Sequence, residues 1–83
     1  MQSFFEARTA SRSASLDTDQ PSVRHIQGLI RRQAAVVVEL AGGRQLEGVI
    51  RWQDAHALAI HPGGDQPLIL VTRQAVVLLR EKV

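Results

Sequence analysis

Gly42-Gly43-Arg44-Gln45-Leu46-Glu47-Gly48-Val49-Ile50-Arg51-Trp52-Gln53-Asp54 is the stretch whose reading decides the fold of this 83-residue chain. It opens on a Gly-Gly turn and continues as a long strand with one glycine, Gly48, inside it. A lone glycine within a strand pattern marks a sharp bend or a close backbone approach. A long strand bent in this way serves two sides of a small curled sheet. Strict alternation places Leu46, Gly48, Ile50 and Trp52 on one face and Glu47, Val49 and Arg51 on the other. Gly43 and Gly48 act as backbone devices and not as phosphate cradles, because no helix follows them.

Working outward, Val36, Val38 and Leu40 alternate with Val37 and Glu39 before the turn, so Gly42-Gly43 joins two strands as a hairpin. Gln53-Asp54 is a tight connection to a third strand, Ala57 to His61. Pro62-Gly63-Gly64-Asp65-Gln66-Pro67 is a loop made of turn formers. Two short apolar strands follow, Leu68 to Thr72 and Ala75 to Leu79, separated by Arg73 and Gln74. Strands without alternation are buried on both faces. In so small a domain the second cover comes most easily from another copy of the chain, and strands near a terminus are candidate edges that need pairing. Before the strands, Val23, Ile26, Leu29 and Ile30 recur at helical spacing from Ser22 to about Gln33. Pro21 suits the first helical turn, and Asp19 or Ser22 is placed to supply a capping oxygen. On the helical wheel Arg24 and Arg31 lie one above the other beside the apolar stripe, with His25 and Arg32 further round. The helix therefore has a basic side.

Bulk properties narrow the functions. The chain is one small domain, 45% apolar, with a polar tail over residues 1–20 and a folded region over 21–83. A chain of this length buries a modest core. It has no cysteine, so neither disulfides nor thiolate metal sites add stability, and self-association is the remaining source. The net charge is +2, with −1 on the first twenty residues (Arg8 and Arg12 against Glu6, Asp17 and Asp19) and +3 on the rest. That is mild for a monomeric nucleic-acid binder, but a symmetric ring multiplies it on one surface. No segment is long enough to span a membrane. The Ser/Arg mix of the tail has a trace of a transit peptide, against which stand Glu6 and the lack of an amphipathic stripe. Phe4 and Phe5 are apolar residues of the tail able to dock locally, with no site for them marked in the sequence.

Helix, then five short strands with a bent second strand, is the order of the Sm-like fold: a mainly β architecture with an N-terminal helix and a strongly bent antiparallel sheet. The residues resemble bacterial Hfq, most of all its cyanobacterial branch. The segments that carry the resemblance are Pro21-Ser22-Val23-Arg24-His25-Ile26-Gln27-Gly28-Leu29-Ile30, Gly43 through Asp54, and Leu70-Val71-Thr72-Arg73-Gln74-Ala75-Val76, within residues 21–80. The resemblance implies a homohexameric ring in which the last two strands of adjacent subunits pair and the helices share one face. It implies a cytoplasmic RNA chaperone and post-transcriptional regulator with RNA sites in the pore, on the opposite face and around a basic rim.

Ser22, Ala55, Arg73 and Gln74 fall on the pore positions. Arg24, Gln27, Arg31, Arg32 and Gln53 fall on the rim and helix. Several of these depart from the family pattern. Thr72-Arg73-Gln74-Ala75 stands where the family has Tyr-Lys-His-Ala. Arg73 keeps a charge that can meet phosphate, whereas Gln74 cannot act as the histidine does. Ser22 and Ala55 replace pore glutamines, Glu39 replaces a base-stacking aromatic on the distal face, and Gln53 replaces the rim aromatic. In the cyanobacterial branch such losses accompany a protein-docking role, with the pilus-extension ATPase as the implied partner. Two functions are thus in view: an RNA-binding ring with altered sites, and a protein-interaction hub with little direct RNA contact.

An enzyme has no supporting constellation. Asp54 lacks a paired carboxylate or nucleophile nearby in sequence, and the resemblance makes it structural. His56 and His61, read as lying on one strand, point to opposite faces and do not make a metal pair. No cofactor is expected. Trp52 reads as core or subunit contact.

Overall fold

The computed structural model describes residues 16–83. A helix, α1 (Pro21–Arg32), precedes five strands: β1 (Ala35–Leu40), β2 (Gln45–Gln53), β3 (Ala57–His61), β4 (Ile69–Thr72) and β5 (Val76–Glu81). A short 3₁₀ turn, Arg73–Ala75, links the last two. The expectations about residues 1–15, including the transit-like composition and Phe4 and Phe5, lie outside the described residues.

Pro21 takes the first turn of α1, where its missing N–H leaves nothing unpaired. The expected cap does not form. Gln20 is the N-cap and makes no side-chain capping bond; the Asp17 carboxylate instead accepts from the Asp19 N–H at 3.0 Å, which uses the local acid to shape the approach to the helix. The helix ends on Gln33 in the left-handed region at φ 53°, a position usually given to glycine. There the Gln33 N–H donates to the Ile30 carbonyl and the Ala34 N–H to the Leu29 carbonyl, satisfying the last turn. Val23 and Leu29 are buried, and Ile26 and Ile30 pack beside them, as the helical spacing predicts.

The sheet is antiparallel with strand order β4-β3-β2-β1-β5. Its two outermost strands, β4 and β5, are joined by only three residues. That connection is possible only if the sheet curls until its ends nearly meet. The Ala41 N–H donating to the Ala75 carbonyl at 2.8 Å holds the hairpin tip against this turn. The hairpin is closed by Gly42 and Gly43, both at φ near +90°, where a side chain is strained. Val36, Val38, Ile50, Ile60 and Val71 line the concave face and join Leu29 in one core.

Gly48 is the close approach that its place in the strand suggests. A Cβ there would lie 2.5 Å from the His61 carbonyl oxygen and 2.8 Å from an Ile60 methyl. The strand therefore passes β3 at a distance only glycine permits.

One expectation is corrected. Trp52 does not share a face with Ile50. Ile50 is opposite Ile60, but Trp52 is opposite Ala59, so Arg51 is an extra residue without a partner on β3. Because side chains alternate along a strand, this β-bulge sends Trp52 to the convex face and turns Gln53 inward. Trp52 is accordingly 42% exposed. Within one chain the final strands leave apolar side chains uncovered, the situation for which the sequence reading calls on another copy. Leu70 is 61% and Val77 66% exposed, because β4 and β5 are the free edges of the sheet.

Candidate functional site

Five of the polar residues singled out from sequence, Arg24, Gln27, Arg31, Gln53 and Arg73, fall into two places. The first is a network joining the helix, the end of β2 and the 3₁₀ turn. With its side chain turned inward by the bulge, Gln53 donates through Nε2 to the Val23 carbonyl at 3.2 Å and to Gln27 Oε1 at 3.1 Å. Its Oε1 accepts from Arg73 Nη1 at 3.1 Å. The same Nη1 reaches the Asp54 carbonyl at 3.4 Å. The Arg73 main chain is held as well, its N–H donating to the His56 carbonyl at 2.9 Å. Arg73 also lines a recess of about 130 Å³ together with Ile26, Leu58, Val76 and Leu79. Arg73 is thus folded back on its own chain and half-buried, while the adjacent Gln74 is exposed.

Asp54 fixes the turn that carries this network. Its Oδ1 accepts from the His56 and Ala57 N–H groups, both at 2.8 Å. These two hydrogen bonds, in that order, hold the Asp54 carboxyl below the usual aspartate range. The residue is an Asx turn in front of β3, as the structural reading of it requires. His56 lies in this turn and not on the strand, so its supposed alternation with His61 does not apply. Ala55 sits half-buried beside it, and Ser22 is exposed at the start of the helix.

The second place is an open groove of about 690 Å³ along the helix, lined by Thr18, Pro21, Val23, Arg24, His25, Gln27 and Arg31. Arg24 and Arg31 line it together, as their seven-residue spacing predicts. Among the described residues neither has an acidic partner. Arg32 differs: its Nη1 is 3.1 Å from Glu81 Oε2, tying the helix end to β5. Lys82 is likewise held by Glu47 at 2.9 Å, and this partner lowers the Glu47 pKa. The five rim and helix positions therefore separate into free cations (Arg24, Arg31), a paired cation (Arg32) and two amides, of which Gln27 also belongs to the groove.

Sequence reasoning did not single out Thr18 and His25 as site residues. The signal for His25 was its place beside Arg24; Thr18 gives none. Also missed was an apolar row on the convex face. Trp52 is opposite Ala59, and Ala59 is opposite Leu70, so the three lie side by side across β2, β3 and β4. On the first strand Glu39 stands between Gln45 and Leu78, with no aromatic near it in the register. Among the described residues no group of three or more metal-ligating side chains comes together. No helix among them is long and apolar enough to cross a membrane.

This geometry has known counterparts. The structure superposes on an Hfq protein from Anabaena sp. with a TM-score of 0.66 and 32% sequence identity, covering 75% of this chain and 97% of that one. It also matches a second structure, described as the pleiotropic translational regulator Hfq, with a TM-score of 0.69 over 81% of this chain and 98% of that one. Identity to the latter is 16%, so that likeness concerns the fold. No curated protein sequence matches the chain. The family described as Hfq related matches residues 20–81, nearly all of the helix and the sheet that build both sites, and the chain belongs to that family.

Proposed function

We propose that this protein is an RNA-binding post-transcriptional regulator of the Hfq kind, acting in the cytoplasm as a homohexameric ring. Its RNA contact runs through the helix groove and not through Arg73. The observation that carries this reading is the contrast among the arginines. Arg24 and Arg31 line an open groove without acidic partners among the described residues, whereas Arg32 and Arg73 are engaged within the chain. Guanidinium groups suit phosphate, and six copies of the groove would add their charge over one surface. Gln27 and His25 give the groove polar atoms that can meet sugar or base. The edges β4 and β5, with Leu70 and Val77 exposed, support ring closure by strand pairing.

Fluorescence anisotropy with A-rich and U-rich oligonucleotides tests this. Wild type binds at micromolar concentration or better. Binding falls steeply with salt, because each neutralised phosphate contributes roughly 0.7 to the log–log slope on single strands. Arg24→Ala/Arg31→Ala flattens the slope and weakens binding at least about tenfold, in line with two lost phosphate contacts. No binding at low salt overturns the proposal.

The hub reading has its own support in the exposed apolar side chains of Trp52 and Leu70, which flank the buried Ala59 and which an RNA backbone would not use. On that reading a protein such as the pilus-extension ATPase co-purifies with the chain and survives ribonuclease. Loss of every partner on nuclease treatment excludes it.

A further inference from the structure

The amide of Gln53 makes three hydrogen bonds in a fixed sense. Its nitrogen is oriented by two acceptors on the helix, the Val23 carbonyl and Gln27 Oε1. Its oxygen is thereby left facing Arg73, whose Nη1 it accepts at 3.1 Å. A second acceptor for that nitrogen, the Asp54 carbonyl, comes from the turn that the Asp54 side chain stiffens. The Arg73 main-chain N–H is bonded to the His56 carbonyl. The cation of the turn between β4 and β5 is therefore restrained at both the main chain and the head group. No carboxylate accepts a hydrogen bond from Arg73: neutral acceptors hold the guanidinium in place, and the nearby Asp54 carboxylate acts on it only through its charge.

We infer that Gln53 is a specificity-determining residue that withholds Arg73 from RNA: it holds the guanidinium against the chain's own helix and turn, and its removal creates a second phosphate-binding site on the β4–β5 turn. The inference rests on the reading of the protein as an RNA binder, and it concerns a cation separate from the groove arginines. Neutral hydrogen bonds restrain the guanidinium more weakly than a carboxylate would. Loss of the Gln53 contacts thus frees it without unmasking a buried acid. A phosphate then competes with the Asp54 carbonyl and with the charge of the nearby Asp54 carboxylate.

Two readouts test the inference. The first needs no RNA. Arginine-specific modification with phenylglyoxal, read by mass spectrometry, labels Arg73 slowly in the wild type and several-fold faster in Gln53→Ala, while Arg24 and Arg31 are unchanged. Equal labelling of Arg73 in both proteins overturns the restraint. The second is anisotropy with a short labelled oligouridylate. Gln53→Ala binds about tenfold more tightly than wild type, and its salt slope is steeper by roughly 0.7 for each phosphate gained. Gln53→Ala/Arg73→Ala returns both to the wild-type value. Unchanged or weaker binding by a folded Gln53→Ala overturns the inference, even where wild type binds through its groove. Should Gln53→Ala not fold, Gln53→Phe fills the same space without hydrogen bonds and is expected to show the same two gains. If wild type binds no RNA at all, the groove reading fails, and the labelling result still decides the restraint.

Discussion

At the scale of single residues, Asp54 and Gly48 show how one side chain, or the lack of one, sets a local path. The Asp54 carboxylate is stabilised in its ionised form by two N–H donors, so its folded pKa lies below the usual aspartate value of 3.8. A depressed carboxyl contributes stability that is fully present above the unfolded value and is lost as pH falls through the folded one. Asp54→Ala is therefore expected to melt a few degrees below wild type at pH 7, with the difference shrinking below about pH 4. Thermal melts monitored by circular dichroism from pH 7 to pH 2.5 check this; a difference independent of pH removes the carboxylate from the account. Gly48 is governed by space. A methyl group there meets a main-chain oxygen at 2.5 Å, which cannot rotate away. Gly48→Ala is expected to destabilise by about 3 kcal/mol or more, above the ordinary range for an overpacked core. Urea denaturation measures it, and a loss below about 1 kcal/mol, the low end of overpacking, would mean that β3 moves aside freely.

At the scale of elements, the exposed edges carry the assembly prediction. Leu70 on β4 and Val77 on β5 contribute little to the core of one chain, being more than half exposed. Leu70→Lys and Val77→Lys should each reduce the mass measured by light scattering from that of the proposed hexamer toward monomer and leave the secondary structure intact, since lysine on an edge strand opposes pairing. A hexamer that survives both changes assigns the assembly to another surface. The elements themselves were largely legible in the sequence, and for a simple reason. Apolar spacing in α1 and alternation in β1 and the first half of β2 each follow the period of one backbone geometry. What could not be read was the point where β2 changes phase. A bulge is one residue of altered backbone with no compositional mark, and Arg51 looks like any outward-facing strand residue. The misplacement of Trp52 followed from that alone. The end of α1 near Gln33 was legible from where the apolar spacing stops, but the left-handed conformation of Gln33 was not, since sequence assigns it to glycine.

At the scale of the whole molecule, a strand order of β4-β3-β2-β1-β5 with a three-residue link between its extremes explains why distant residues meet. Curling brings the helix, the end of β2 and the β4–β5 turn to one corner, where Gln27, Gln53 and Arg73 are in contact. All three were named from sequence as site residues, but their mutual hydrogen bonds join positions twenty or more residues apart and no local pattern encodes them. The groove arginines were easier, since a helical wheel already puts Arg24 above Arg31. The resemblance to Hfq put Arg73 among the expected pore positions, whereas the hydrogen bond from its guanidinium to Gln53 is visible only in the folded chain.

The bulge at Arg51 has a last consequence, for how the gene tolerates change in length. In a regular strand, losing one residue inverts every side chain beyond the cut. Here the opposite holds at one codon. With Arg51 deleted, Trp52 becomes the next residue after Ile50 and still faces Ala59, and Gln53 still faces Leu58. The chain lacking Arg51 should fold, melt within several degrees of wild type and keep Trp52 fluorescence typical of an exposed indole. Deletion of Val49, two positions earlier, should abolish folding because it carries Ile50 out of the core. A strand that ordinarily admits no indel thus contains a single site at which evolution or an engineer can shorten it.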